Sequence, residues 1–303
     1  MNGDSGPIVS KPVWRLVIGA SLVSFAPILV RATSVPPTTS AFYRMLLGGL
    51  ALALIALLTR RPLALSKHVA TGLTLAGFAF SFDLFFWHRS IHLVGPGLAT
   101  LLAGFQVFVM ALAGLIFFGE RLRWQIVVAI PAAFVGVALI IGFDWGGLDE
   151  GYRLGVIFGL STALCYSTVL LLMRWTQSNT ADPGFPLVEV ALMSLACAAL
   201  LGVIAVTNAE SLAIPTSREA LLLISYAAVA QIGWVVIVSG LGKVPVALAG
   251  LVLLMEPTLA YVWDILIFAR PTTAVQAFGA MLAIGAIYLG SSTAKSRRPD
   301  MAD

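Results

Sequence analysis

Ten apolar runs, each about as long as a helix that crosses a lipid bilayer, follow one another along the chain. A span needs roughly 20 residues, because an α-helix rises about 1.5 Å per residue and the hydrocarbon core is about 30 Å thick. The runs between charges and turn residues predict spans at 14–31, 39–58, 69–91, 95–118, 124–142, 153–175, 186–207, 218–240, 244–268 and 272–290. The runs are continuously apolar rather than alternating, so the pattern predicts helices and not a β-barrel.

The composition agrees with this interpretation. Of the 303 residues, 59% are hydrophobic and only 11% are charged, whereas soluble proteins carry roughly 25% charged residues. The sequence therefore predicts an all-α polytopic membrane protein. We expect the lipid bilayer and a small-molecule substrate as its partners, no nucleic acid, and a monomeric chain.

The lysines and arginines predict how the chain is oriented. If both termini are cytoplasmic, twelve of the 18 positive residues lie on that side, and an excess of Lys and Arg is typical of cytoplasmic loops. These are Lys11, Arg15, Arg60, Arg61, Lys67, Arg121, Arg123, Arg174, Lys243, Lys295, Arg297 and Arg298. The other six are Arg31, Arg44, Arg89, Arg153, Arg218 and Arg270. An even number of spans also puts both termini on one side, and we expect a bacterial-type inner membrane.

The two halves of the chain echo each other with an offset near 150 residues. The segment 87–142 and the segment 234–290 share the order of apolar helix, proline-containing turn, small-residue helix, charged turn and glycine-rich helix. Gln106 then stands opposite Glu256, and Gly119-Glu120 opposite Ala269-Arg270. The predicted repeats are 14–147 and 148–291, with cytoplasmic tails at 1–13 and 292–303.

An odd number of helices in each repeat has a topological consequence. With five spans per copy, the second copy enters the membrane upside down, and inverted repeats of this kind are typical of secondary transporters that work by alternating access. The first run leaves an alternative open, since Lys11 and Arg15 before an apolar stretch also fit a signal peptide. No small-residue cleavage site follows it, and the repeat requires this helix.

Several motifs resemble one known family. They are the run from Asp83 to Ser90, the run from Val94 to Leu102, Phe117 to Leu122, Leu254 to Pro257, and Tyr43-Arg44-Met45. Together they resemble the EamA-type branch of the drug/metabolite transporter superfamily, and more narrowly its YddG-type exporters of aromatic and other neutral amino acids. The resemblance covers residues 12–293 and implies ten helices, two inverted repeats, cytoplasmic termini and a central cavity. Arg270-Pro271 departs from the family pattern, in which Gly-Glu is common.

Polar groups inside the predicted spans indicate where a solute would bind, because a charge at mid-bilayer costs about 2.5–3.5 kcal/mol on insertion scales. Glu256 lies near the centre of the ninth span, and Asp83 lies in the third with Trp87 on the same side. Aromatic rings with polar tips suit a pocket for an amphipathic solute. Seven residues are predicted to bind substrate: Glu256, Gln106, Asp83, Trp87, Tyr166, Gln231 and Trp234. The alternative for each is helix packing or an interfacial belt.

The motifs of common enzymes are absent from the sequence. There is no HExxH, GxSxG, P-loop or GxGxxG pattern, so we expect no enzyme activity, no cofactor and no metal. The predicted function is a secondary carrier of small organic metabolites, with aromatic and neutral amino acids favoured. A lipid-linked sugar flippase, another drug or metabolite efflux carrier, an intramembrane enzyme and a sensor without flux stay as alternatives.

Overall fold

A computed structural model describes residues 10–120, 124–141, 149–179, 185–269 and 271–291. Thirteen helices lie within these ranges: α1 (Lys11–Val23), α2 (Ala26–Ala32), α3 (Pro37–Leu58), α4 (Lys67–Val94), α5 (Pro96–Ala103), α6 (Gln106–Phe117), α7 (Trp124–Ile141), α8 (Glu150–Ser178), α9 (Leu187–Thr207), α10 (Ser217–Leu241), α11 (Val246–Leu253), α12 (Met255–Phe268) and α13 (Ala274–Ser291). The predicted boundary between repeats at 147/148, the tail 292–303 and most of the tail 1–13 lie outside the described residues.

Eight helical segments in the described part of the chain are long and apolar enough to cross a membrane. They coincide with eight of the predicted spans, and the protein is a multi-pass membrane protein. The other two predicted spans correspond to shorter apolar segments, Val127–Gly136 within α7 and Ala274–Ala283 within α13.

Three of the predicted spans are broken near their middle. The first is interrupted between α1 and α2, the fourth between α5 and α6, and the ninth between α11 and α12. Pro27 and Pro257 lie just after two of these breaks, where the missing proline N–H weakens the helix ladder. At the third break, the Gly104 amide hydrogen-bonds to both Thr100 O and Leu101 O. The breaks leave short helix ends inside the bundle.

Helices from the first half of the chain pack mainly against helices from the second half. α1 packs against α10, α3 against α9, α4 against α8 and α7 against α13. The broken spans pack the same way, α5 against α12 and α6 against α11, so the fourth and ninth spans run antiparallel. This arrangement leaves the centre of the bundle bordered by both halves.

Two carboxylates bind the ends of the antiparallel broken spans. The Glu120 carboxylate, after α6, accepts hydrogen bonds from the Val246 and Ala247 amides of α11 at 2.8 and 3.3 Å. At the opposite end of the crossing, Asp264 of α12 accepts from the Gly97 amide of α5 at 3.1 Å. The first amides of a helix have no partner inside it, and negative charge is favourable there. Each carboxylate therefore joins one half of the chain to the other.

The residues after α6 and α12 share an unusual backbone conformation. Gly119 has φ 61° and Ala269 has φ 50°, both in the left-handed region that glycine adopts most readily. The turn at Gly119 brings the Glu120 amide within 2.9 Å of Gly114 O and returns its carboxylate to the bundle. The opposing positions of the sequence repeat thus share a left-handed φ.

Replacing Glu120 by glutamine should lower the stability of the bundle. The change removes the charge at the start of α11 and the ion pair with Arg174, whose closest approach is 3.6 Å. We expect a loss of about 1–2 kcal/mol, measured as a lower unfolding temperature of the purified protein in detergent. The control is Glu150→Gln, which removes an exposed glutamate. Equal unfolding temperatures for the two variants would contradict the capping role.

Candidate functional site

A small chamber lies in the centre of the bundle, where helices of both halves meet. Its volume is about 30 Å³, which holds water but no organic solute. Its lining comprises Val23, Arg44, Phe80, Asp83, Leu84, Trp87, Thr100, Ala103, Thr162, Tyr166, Trp234 and Glu256. The residues come from α1, α3, α4, α5, α8, α10 and α12, so the chamber is formed only when the two halves pack together.

α4 contributes one continuous face to the chamber. Phe80, Asp83, Leu84 and Trp87 are spaced by three and four residues, which places them on one side of a helix. The Trp87 indole donates to the Thr100 hydroxyl at 3.2 Å, which orients this ring against the middle of α5. The spacing of residues in α4 thus presents two aromatic rings and a carboxylate to the same space.

Aromatic rings from other helices complete the wall. The Trp234 ring lies 4.8 Å from the Phe80 ring and 5.7 Å from the Tyr166 ring, measured between centroids. Aromatic pairs at such distances pack favourably in offset or edge-to-face arrangements. The chamber therefore has an apolar, aromatic side that suits an apolar or aromatic group.

One arginine and two carboxylic side chains line the chamber and are almost completely buried. Arg44, Asp83 and Glu256 are 3%, 4% and 7% exposed. Glu256 accepts a hydrogen bond from the Tyr166 hydroxyl at 3.1 Å. Within the described residues, no ion pair of 4 Å or less joins the Arg44 guanidinium to either carboxylate, although isolated buried charges are costly.

A chain of hydrogen bonds holds Arg44 in position. Its Nη1 donates to the Tyr226 hydroxyl at 2.9 Å, which in turn lies 3.1 Å from His88 Nε2. His88 Nδ1 is 2.8 Å from Leu84 O, and a carbonyl only accepts, so Nδ1 carries the proton and Tyr226 donates to Nε2. The guanidinium also stacks over the rings of Phe80 and Tyr226, at 5.3 and 5.1 Å from their centroids.

Five of the seven predicted binding residues line this chamber: Asp83, Trp87, Tyr166, Trp234 and Glu256. Gln231 lies elsewhere, because its amide donates to the Ser194 hydroxyl at 3.0 Å and its side chain packs where Gly48 leaves room. Gln106 is buried at the start of α6 but does not line the chamber. Its Oε1 has no hydrogen-bond partner among the described residues.

Two charged residues that were not among the predicted binding residues are buried within the bundle. Asp264 lies toward the end of α12, yet it is buried against the start of α5, because the antiparallel crossing brings this part of α12 to the free amides there. Arg44 was not among the predicted binding residues, yet it lines the chamber. The sequence does place Arg44 inside a predicted span. A charged side chain there has an unfavourable insertion free energy, which indicates a functional role.

Comparison with known proteins assigns the chain to a family. The sequence model of the EamA-like transporter family matches residues 11–142 and again residues 153–292, so each half of the chain is one copy of the family unit. No curated protein sequence matches the chain. A solved structure described only as a crystal structure of a protein has a TM-score of 0.73 over 93% of this chain and 98% of that chain, at 19% identity, and supports the fold. The two matches together cover most of the chain, which therefore belongs to the EamA-like transporter family, whose members are membrane transporters of small molecules and not enzymes.

Proposed function

We propose that this protein is a secondary carrier that moves small organic metabolites, with aromatic and other neutral amino acids as its main substrates. The observation that carries the proposal is the central chamber, which combines aromatic rings with a buried guanidinium and two buried carboxylates. A pocket with an apolar wall and a few convergent polar groups is typical of sites for small molecules. The side chain of an amino acid would contact the aromatic rings, and its ammonium and carboxylate groups would contact the charged side chains of the chamber.

The proposed mechanism is alternating access between two inverted repeats of five spans each, ten in all. The antiparallel packing of the fourth and ninth spans supports inversion, because repeats related by an axis along the membrane normal would place equivalent spans parallel. The helix pairs also follow this symmetry. The first span packs against the eighth, and the equivalent spans of the other repeat, the sixth and the third, pack against each other in the same way. Both observations fit a two-fold axis in the membrane plane.

The size of the chamber supports a carrier that must open to load its solute. A volume of about 30 Å³ is too small for an amino acid, so the wall has to part on one side. The Glu120 and Asp264 contacts lie at opposite ends of the crossing between the fourth and ninth spans. The proposed transport cycle separates the halves at one end while the other end stays closed.

The excess of positive residues supports an orientation with both termini in the cytoplasm of a bacterial-type inner membrane. Two of the twelve residues on the proposed cytoplasmic side bond to carbonyl groups near the end of α10. Arg15 donates to Ser239 O, and Arg174 donates to Leu241 O and to Val244 O in the turn that follows. Reaction of single introduced cysteines with a membrane-impermeant reagent would test this orientation. Labelling of a cysteine at Lys67 from outside intact cells would contradict it.

Counterflow into proteoliposomes tests the proposed function. Purified protein is reconstituted with unlabelled amino acid inside the vesicles, and uptake of radiolabelled threonine, methionine or phenylalanine is followed. We expect saturable uptake well above that of protein-free vesicles, because exchange needs only a carrier and a sealed membrane. Absence of saturable flux for all three amino acids would contradict the amino-acid proposal. Flux of a lipid-linked sugar would favour a flippase instead.

A further inference from the structure

The charges around the chamber do not satisfy one another. The Arg44 Nε and the Asp83 Oδ1 are both buried without a hydrogen-bond partner among the described residues. Both side chains line the chamber, together with Glu256. A buried polar atom left without a partner is costly, so such atoms indicate a binding partner that is itself polar.

The two signs of charge come from different helices. Arg44 extends from α3, Asp83 from α4 and Glu256 from α12, and no direct ion pair closes the space between the guanidinium and the carboxylates in the described part of the protein. A ligand with one charge of each sign would satisfy both groups at once, whereas a ligand with a single charge would leave one of them unpaired.

We propose that the chamber selects zwitterions, with Arg44 as the residue that binds the carboxylate of the substrate and Asp83 and Glu256 as the partners of its ammonium group. This inference rests on the proposed function and adds which groups of the solute are recognised. An α-amino acid is the simplest solute of this kind. Its side chain would then lie against the rings of Phe80 and Trp234.

Arg44 suits this role for geometric reasons. A guanidinium presents several donors in a rigid fork that matches a carboxylate, and it is always charged. The Tyr226 hydroxyl and the two stacked rings hold the planar group in place, so little side-chain freedom is lost when a carboxylate binds. Only Nη1 is engaged by Tyr226, which leaves other donors for a ligand.

The two carboxylic side chains are placed to bind the ammonium group of the substrate. Glu256 is positioned by the Tyr166 hydroxyl through Oε2, and Asp83 is held on the α4 face beside Trp87 and Phe80. A substrate ammonium group has three donors, which is enough to contact both side chains. Removal of the ammonium group would leave the two carboxyl groups of the protein without a cationic partner on the ligand.

The test compares three ligands that differ by one charged group each. Phenylalanine carries both charges, 2-phenylethylamine lacks the carboxylate and 3-phenylpropanoate lacks the ammonium group. Binding to the full-length protein in detergent is measured from the ligand-dependent rise in unfolding temperature. We expect both single-charge ligands to bind at least about 100-fold more weakly than phenylalanine, because each leaves a buried polar group unpaired. Equal affinities for all three, or no binding of phenylalanine, would overturn the inference.

Variants of Arg44 locate the carboxylate contact. Arg44→Gln should abolish the preference for phenylalanine over 2-phenylethylamine, whereas the control Arg31→Gln removes an exposed arginine and should keep it. Arg44→Lys retains the positive charge but lacks the planar set of guanidinium donors, so it provides a second test if the glutamine variant does not fold. We expect it to bind phenylalanine about tenfold more weakly than the wild type and 2-phenylethylamine equally well. A lysine variant with unchanged phenylalanine binding would contradict the role of Arg44.

Combining binding with counterflow separates this inference from the carrier proposal. Selective binding of phenylalanine with no flux of any amino acid would refute the carrier and leave the zwitterion site standing. Counterflow of phenylalanine that 2-phenylethylamine inhibits equally well would refute the zwitterion site and leave the carrier standing.

Discussion

Replacing Glu256 by glutamine is expected to lower amino-acid counterflow at least about tenfold and to flatten its dependence on pH. Glutamine has nearly the same shape and can still accept from Tyr166, so the change removes mainly a charge and a proton-binding group. The groups that face Glu256 across the chamber are Tyr166 of α8, Asp83 of α4 and Arg44 of α3. Loss of an ionic contact to a substrate ammonium in a buried site is worth at least the 1.4 kcal/mol that a tenfold change requires.

The experiment measures initial counterflow rates between about pH 5 and pH 8 in proteoliposomes of matched protein content. Glu150→Gln, which changes an exposed glutamate at the start of α8, is the matched control and should follow the wild-type profile. The unfolding temperature of each variant shows whether the protein remains folded. A Glu256→Gln variant that is folded and keeps both the rate and the pH profile would remove this carboxylate from substrate binding and coupling.

Enlarging Gly19 or Gly233 is expected to reduce the yield of folded protein severely. A Cβ on Gly19 would lie 2.6 Å from Ile237 Cγ1 and 2.7 Å from Gly233 O, and one on Gly233 would lie 2.5 Å from Val23 Cγ2 and 3.0 Å from Gly19 O. The backbones of α1 and α10 thus touch directly, as small residues allow in membrane proteins. Two of these clashes involve backbone atoms, which cannot turn aside as a side chain can.

We expect Gly19→Val and Gly233→Val each to destabilise the protein by about 3 kcal/mol or more, at the upper end of overpacking effects. The measurement is the fraction of monodisperse protein in size-exclusion chromatography after extraction, together with the unfolding temperature. Gly285→Val is the matched control, because nothing lies within 4 Å of a Cβ added to Gly285 of α13. If all three variants behave alike, the close crossing of α1 and α10 is not a requirement of the fold.

The positions of the spans could be predicted because the bilayer imposes them locally. The predicted second span, 39–58, corresponds to α3 at Pro37–Leu58, and the predicted eighth, 218–240, to α10 at Ser217–Leu241. An apolar run of this length has few options other than a helix, whatever packs beside it. The same reasoning did not reveal the breaks in the first and fourth spans, since a glycine or a proline near a helix centre is also compatible with a continuous helix in a membrane.

The correspondence between the halves was likewise visible in the sequence. Gly119 and Ala269, which stand opposite each other in the sequence repeat, both have a left-handed φ. The two carboxylates that join the halves are not at equivalent positions of the repeat. Glu120 stands opposite Arg270 in the sequence, whereas the carboxylate that accepts from Gly97 is that of Asp264, six residues before Arg270. Arg270 itself lies outside the described residues.

The composition of the chamber depended on the tertiary structure. Gln231 and Trp234 are three residues apart in α10, yet only Trp234 lines the chamber, while Gln231 bonds to Ser194 of α9. Arg44 joins the chamber because Tyr226 and Phe80, distant in sequence, hold its guanidinium there. Hydrophobic runs specify that a segment is a helix, but they do not specify its rotation or its neighbours, since almost every face is apolar. Only the packing of the two halves decides which polar side chains line the same chamber.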